Sequence, residues 1–448
     1  MLKNSFFSII SYFKNTPELP RSTFYFVGLL FATLISTLFY PGFFSNDSFN
    51  QWGQVESGQL ETWHPIIMTV IWKYMANAFG VGGFFILNQI MYWFGFAIFI
   101  DVCFKRKLLF YAVALFPPIL TMSLDVWKDV ANFVALLLSV SLFLSYLKCH
   151  KKILFLPIIL LLIYASLVRI NGLIPAVVLV FCGSYLLAKK KKMFLAVMFT
   201  FCFIFSVKLS SDLITNFYKP QISRPLASLL LWDIAGISHF SGQYIELPKE
   251  IPVRDEEKVK GWASHYLSEN CSLCWTAGLV CETRSSTDDK KLLSIWMREI
   301  RNRPLAYLEH RLSLASSLFG IRLKIYYPYH GYESNIMASK KFHISNHARS
   351  IFDYWTSIYF VFEKSFLFHP FIWIIFETLI LIKFAFSVLK KINLKVKQKI
   401  VCILSLSGLV NAFSLIVLAV AADYRYIIWT VLSGFIALCL SFSKASFD

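Results

Sequence analysis

The chain has 448 residues, of which 57% are hydrophobic and only 16% charged, with a mean hydropathy of +0.59. Soluble domains average roughly 45–50% apolar and 25% charged residues, so this composition excludes a soluble globular enzyme and implies an all-α, multi-pass membrane protein. The net charge of +18 is not a nucleic-acid signature, because the densest basic runs sit at the ends of apolar stretches, where Lys and Arg hold loops in the cytoplasm.

In chain order, Lys3, Lys14 and Arg21 precede a first predicted span at about 22–44, which places the N-terminus inside. Phe6, Phe7, Ile9, Ile10 and Phe13 make the segment before it interfacial. No small-residue cleavage site follows the apolar run, so the span is read as uncleaved. A first outer loop follows at 45–82, with 64–80 lying along the outer surface, and the next span is expected at about 83–104. The anchor Lys105-Arg106-Lys107 is inside, as are Lys148 to Lys152, Lys189 to Lys192 and the run from Lys390 to Lys399. Between these anchors fit spans at about 108–124, 128–147, 153–168, 171–188, 193–210, 368–389, 400–421 and 426–443, which brings the total to about ten with both termini inside. Three parts result: an N-terminal transmembrane module at 1–210, an outer-face extramembrane domain at 211–367 and a C-terminal transmembrane module at 368–448. Within the outer domain, Leu312 to Tyr327 is amphipathic and suited to the membrane surface.

On this topology the polar residues are one-sided. Asp47, the cluster Asp125-Val-Trp-Lys128-Asp129, Arg169-Ile-Asn171 and Asp423-Tyr-Arg425-Tyr426 all fall at the outer ends of spans. Charged groups beside a bilayer are costly unless paired, hydrated or lining a cavity, so four such loops on one face point to a site. Each has a plainer reading too: Arg169 and Arg425 as snorkelling side chains, and Lys128 with Asp129 or Asp125 as a structural ion pair. There is no Gly-rich phosphate loop and no internal repeat, so a nucleotide-sugar domain has no sequence support.

Gly42-Phe-Phe-Ser-Asn-Asp47-Ser48, then Trp63-His64-Pro65 entering an apolar helix, then the acidic cluster at 125–129, resemble the multispanning glycosyltransferases of the GT-C superfamily. With Arg-Ile-Asn at 169–171 and Asp-Tyr-Arg-Tyr at 423–426, the layout is most similar to bacterial serotype-converting O-antigen glucosyltransferases. The likeness covers the whole chain in topology but only about forty residues in motifs. It implies inverting transfer of one sugar, glucose by likeness, from a polyprenyl-phosphate carrier to the O-antigen of lipopolysaccharide. The setting would be the periplasmic face of a bacterial inner membrane, with dependence on a donor-lipid synthase and a flippase, and with no nucleic-acid partner or organic cofactor. A divalent-metal requirement stays open. A carboxylate within reach of the acceptor hydroxyl serves as general base, for which Asp47 is the first choice and Asp129 and Asp125 the others. Arg169, Arg425 and Lys128 are the candidates for the departing phosphate, Arg having the planar fork that grips it bidentately. His64, Trp63, Asn171, Asp423 and Tyr426 are candidate substrate contacts. Trp52, Trp63 and Trp127 can stack on sugar rings or belong to the interfacial aromatic belt. Many relatives carry Asp-Glu in the first loop, whereas Ser48 follows Asp47 here, which leaves Glu56 and Glu61 as possible stand-ins.

Two other classes compete. An O-antigen polymerase or ligase would use Arg and His of a late outer loop, such as Arg311, Arg322, His330 and His343. A transporter would exploit an ionisable group within a span, such as Glu377, and a break such as Pro117-Pro118 suits either class. Of the nine cysteines, Cys271, Cys274 and Cys281 cluster in the outer domain. Two of them can form a disulfide, all three can stay thiols, or with His265 they can hold zinc.

Overall fold

The computed structural model describes residues 17–247, 286–321, 341–342, 350–351, 353–355, 357–358 and 365–447. The N-terminal interfacial segment, His265, Cys271, Cys274, Cys281, Arg322, His330 and His343 lie outside the described residues. Among the described residues the chain is helical with no strand, only two isolated β-bridges.

Eight helical stretches are long and apolar enough to cross a membrane. They include α1 (Arg21–Leu38), the pair α3 (Ile66–Phe79) and α4 (Gly83–Cys103), α6 (Lys128–Cys149) and α8 (Leu173–Leu187) with its 3-10 lead-in from Ile170. The rest are α9 (Lys192–Tyr218), α13 (Pro370–Leu389), α14 (Val396–Leu418) and α15 (Tyr424–Phe442). Each corresponds to one of the ten expected spans. The remaining two expected spans form shorter pieces. Lys152–Val168 is an apolar helix of lesser length, ending in α7 (Phe155–Val168). The expected span at 108–124 divides into a 3-10 stretch, Leu108–Leu115, and the short α5 (Pro117–Ser123). Hydropathy alone did not foresee this break. Pro117 and Pro118 have no amide to donate, so a helix can begin at them but cannot run through them.

Two boundaries also move. The first helix stops at Leu38 rather than near 44, because the turn Tyr40-Pro41-Gly42 intervenes and Gly42 adopts φ +95. A side chain at Gly42 would collide with Val126 and Phe85, so the turn sits hard against its neighbours. At the other limit, α9 continues to Tyr218, so the expected domain boundary at 210/211 falls inside a helix. Nothing between 193 and 218 breaks it: the stretch lacks Gly and Pro, and Lys208 pairs with Asp212 one turn later at 2.6 Å.

Three further helices follow α9: α10 (Leu226–Ser241), α11 (Ser286–Asn302) and α12 (Pro304–Leu318). Their buried residues, Trp232, Leu292 and Leu314 among them, belong to the same apolar cluster as those of the spanning helices. Arg311 of α12 donates to the carbonyl of Ala419 at 2.8 Å, which ties this layer to the turn before α15.

The bundle has two distinct poles. At one, Asp101 accepts from Arg21 at 3.0 Å, from Arg106 at 3.1 Å and from Tyr25 at 3.1 Å, while Lys148 caps the carbonyl of Val102 at 3.2 Å. The other pole lies at the far ends of the same helices, beyond Leu38 of α1 and at Lys128 of α6. Twenty-two residues of α6 separate the poles, about 33 Å at 1.5 Å per residue.

Candidate functional site

At that second pole the first loop is fastened to the segment before α6. Phe43 donates to the carbonyl of Leu124 at 2.9 Å and accepts from the amide of Val126 at 3.0 Å. Ser45 caps the short helix α2 (Asn46–Ser57), and the Trp127 indole donates to its hydroxyl at 2.6 Å. Ser48 completes the capping box and donates to the carbonyl of Val126 at 2.9 Å. These bonds set Asp47, in the first turn of α2, beside Lys128 and Asp129 in the first turn of α6. They also explain Ser48: its side chain is fully buried, and a glutamate would not fit there. Glu56 instead pairs with Lys341 at 3.0 Å and Glu61 bridges to Gln221, and neither lines the cavity described below.

Arg169 stands at the end of α7 in extended conformation, one helical turn along α6 from the place where Asn132 reaches across. Asn132 donates to the carbonyl of Ala165 at 2.8 Å. A Cβ at Gly172 would lie 2.0 Å from the Asn132 amide nitrogen, so the Arg-Ile-Asn-Gly turn needs glycine at its last position to pack this closely. Arg169 forms an ion pair with Asp129, and its guanidinium lies over the Tyr426 ring at 4.5 Å.

The last component comes from the start of α15. Asp423 caps that helix by accepting from the Arg425 amide at 3.1 Å, and its carboxylate meets Arg425 Nε at 2.7 Å. Arg425 Nη1 meets Asp47 at 2.9 Å, and Nε lies 4.0 Å from Asp129. The face of Trp127 lies 4.8 Å from the Arg425 guanidinium. Three cations, Lys128, Arg169 and Arg425, thus stand among three carboxylates, Asp47, Asp129 and Asp423.

These groups border a cavity of about 910 Å³. Eight of the expected site residues line it: Asp47, Trp63, His64, Lys128, Arg169, Asn171, Arg425 and Tyr426. Asp129 and Asp423 do not reach its wall but grip the arginines that do. Asp125 is absent from the wall as well; it is buried in the bridge with Phe43, so of the three candidate bases Asp47 alone lines the cavity. Trp127 is buried beneath Arg425, so of the two readings of this tryptophan, sugar stacking and membrane belt, neither describes its contacts. Sequence reasoning missed the α9 wall, which Ile204, Val207, Lys208, Ser211, Ile214 and Thr215 form. Lys208, Ser211 and Thr215 recur at intervals of three and four, but Ser206, Ser210, Asp212 and Asn216 lie among them, so the spacing alone did not single out that face.

The electrostatics follow from this crowding. Burial raises the Asp47 carboxyl, but the charges of Arg425 and Lys128 together outweigh it and hold the group at about 2. Burial, with Lys128 nearby, lowers His64 to about 4, so its imidazole is neutral at neutral pH. No protein-family model matches the chain, and no curated protein and no solved structure shows significant similarity to it. The chemistry of the cavity therefore rests on its own residues. A wall that combines the cationic groups of Lys128, Arg169 and Arg425 with the apolar side chains Ile204, Val207, Leu173 and Leu418 suits a ligand with both an anionic and an apolar part, and the volume is that of a small-molecule pocket.

Proposed function

We propose that the chain is a glycosyltransferase of the GT-C kind that moves a single hexose, glucose by likeness, from a polyprenyl-phosphate carrier to lipopolysaccharide O-antigen. One observation carries the reading: Asp47, His64, Lys128, Arg169 and Arg425, from four widely separated stretches of sequence, line one cavity whose remaining wall is largely apolar helix. A carboxylate and phosphate-binding cations side by side are what the reaction needs. The acceptor hydroxyl passes its proton to Asp47, and its oxygen bonds to the anomeric carbon from the face opposite the phosphate. The bond from that carbon to the phosphate oxygen breaks, and its electron pair leaves on polyprenyl phosphate, whose growing charge Arg169, Arg425 and Lys128 stabilise. The basic pole around Arg21, Arg106 and Lys148 supports a cytoplasmic assignment for that end, so the cavity would face the periplasm of a bacterial inner membrane.

The competing readings draw less support. Glu377 is enclosed: Ser433 donates to it at 2.7 Å, and the absent side chain of Gly408 makes its space, away from the cavity. Arg311 is sealed in a buried network and does not line this cavity.

Mass spectrometry of surface polysaccharide from cells with and without the chain tests the proposal. One extra hexose per repeat unit in cells that carry it is the expected result. Longer chains without added branches would favour the polymerase reading, and unchanged polysaccharide would end the proposal.

A further inference from the structure

Arg425 holds its carboxylates unequally. Asp423 meets Nε at 2.7 Å from the cap of the same helix, and Asp129, 4.0 Å from that nitrogen, is 1% exposed. Asp47 meets the opposite edge, Nη1, at 2.9 Å and is 37% exposed on the cavity side. The guanidinium is braced independently of Asp47, by Asp423 and by the flat faces of Trp127 at 4.8 Å and Tyr426 at 5.4 Å. Beside it, Lys128 lines the same cavity, and among the described residues no carboxylate lies within 4.0 Å of its ammonium. A phosphate that enters the cavity therefore meets one uncommitted ammonium and one guanidinium whose outward edge is already covered.

We infer that Asp47 and the phosphate of an incoming lipid ligand compete for the outward edge of Arg425, so that ligand binding uncovers Asp47. This rests on the reading of the ligand as a lipid phosphate. In the empty cavity Asp47 acts as a placeholder anion. Once phosphate takes its position, the Nη1 edge of Arg425 again has an anionic partner while Asp423 keeps the Nε edge. The displaced carboxylate loses its nearest cation and gains proton affinity. It then becomes a useful base only while donor is present. The donor must bind before the acceptor can be activated.

The test uses the full chain in detergent or lipid nanodiscs, with farnesyl phosphate and farnesol as probes and tryptophan fluorescence as readout, since Trp63 and Trp127 adjoin the cavity and Arg425. Asp47→Asn is expected to bind farnesyl phosphate about fivefold more tightly or better, the equivalent of removing one competing ion pair worth about 1 kcal/mol, with farnesol binding unchanged. Asp47→Ala should show the same tightening, so that a folding defect in one variant does not decide the matter. In the Arg425→Gln background the Asp47→Asn gain should vanish, as a coupled pair requires. If the wild type prefers farnesyl phosphate over farnesol yet neither Asp47 variant binds more tightly, the competition is refuted while the phosphate site stands. If the wild type does not distinguish the two probes, the inference and the lipid-phosphate reading fall together.

Discussion

The carboxylate–guanidinium clusters around Asp233 and around Arg425 are built to different ends. Around Asp233 both oxygens are engaged: Oδ1 meets Arg311 at 2.5 Å and His310 at 2.9 Å, and Oδ2 accepts from the Trp296 indole at 2.7 Å. Asp233 and His310 are wholly buried, and burial lowers the His310 imidazole even with Asp233 beside it. The set fastens α10, α11 and α12 to one another and, through Arg311 and Ala419, to the turn that precedes α15. The cluster around Arg425 uses the same residue types but leaves one carboxylate and one ammonium facing a cavity. An ion pair therefore does not mark a site. An ion pair with one side left open to a ligand does.

Mutations sharpen that contrast. The largest effect is expected from Asp47→Asn, which keeps the shape of the side chain but cannot take the proton. Transfer from polyprenyl-phosphate sugar to acceptor polysaccharide in membrane extracts should fall about 10²–10⁴-fold, with the amount of inserted protein unchanged by blot. Near-normal transfer would remove Asp47 as the base and shift the role to Asp129 or Asp125. Asp233→Ala should do the opposite. It strands Arg311 and His310 in the interior, costs about 3–5 kcal/mol of stability and lowers the thermal midpoint of the purified protein, while whatever remains folded keeps its affinity for lipid phosphate.

Arg425→Lys keeps the charge and loses the planar fork, and with it at least one charge-assisted hydrogen bond worth about 1.5–3 kcal/mol. The apparent affinity for the donor should weaken about tenfold or more, with a smaller change in melting. A titration of donor concentration checks this. The gentlest test is pH. His64 stands at about 4 in the folded chain against an ordinary 6.5, so the unfolded chain takes up the proton first as pH falls. Stability from this residue is complete above 6.5 and is lost on the way down to about 4. Between pH 7 and pH 5 the wild type should lose about 2 kcal/mol that His64→Asn does not lose, as unfolding midpoints at the two pH values would reveal.

The sequence carried the spans well, because a bilayer demands long apolar runs with basic ends, and eight of the ten expected ranges coincide with helices of the required length and composition. At 108–124 hydropathy counts apolar side chains and gives one span, whereas the Pro117-Pro118 break read in the same sequence is where the stretch divides, because those residues lack the amides a continuous helix needs. The site was legible through charge: residues that are costly beside lipid proved to be neighbours. What stayed hidden was pairing. Nothing in the order of residues says that Asp129 takes Arg169 while Asp47 takes Arg425, because those partners are chosen by helix packing. Tyr426, expected against substrate, lines the cavity but also carries Arg169 on its face, and Ser45 and Ser48 gave no sign that they pin the first loop.

The pair between Asp47 and Arg425 spans 378 positions of chain, and this has a consequence for synthesis. The ribosome delivers the first loop, α6 and the Arg169 turn well before α15. Chains grow at about 5–20 residues per second, so roughly twenty seconds or more pass with Asp47 in place and its guanidinium partner not yet made. During that interval the unfinished chain carries Asp47 without the first of the cations that hold its carboxyl low. A chain cut after Ala422 would keep most of the bundle and lack Asp423, Arg425 and Tyr426, and with them the partner that Asp47 meets.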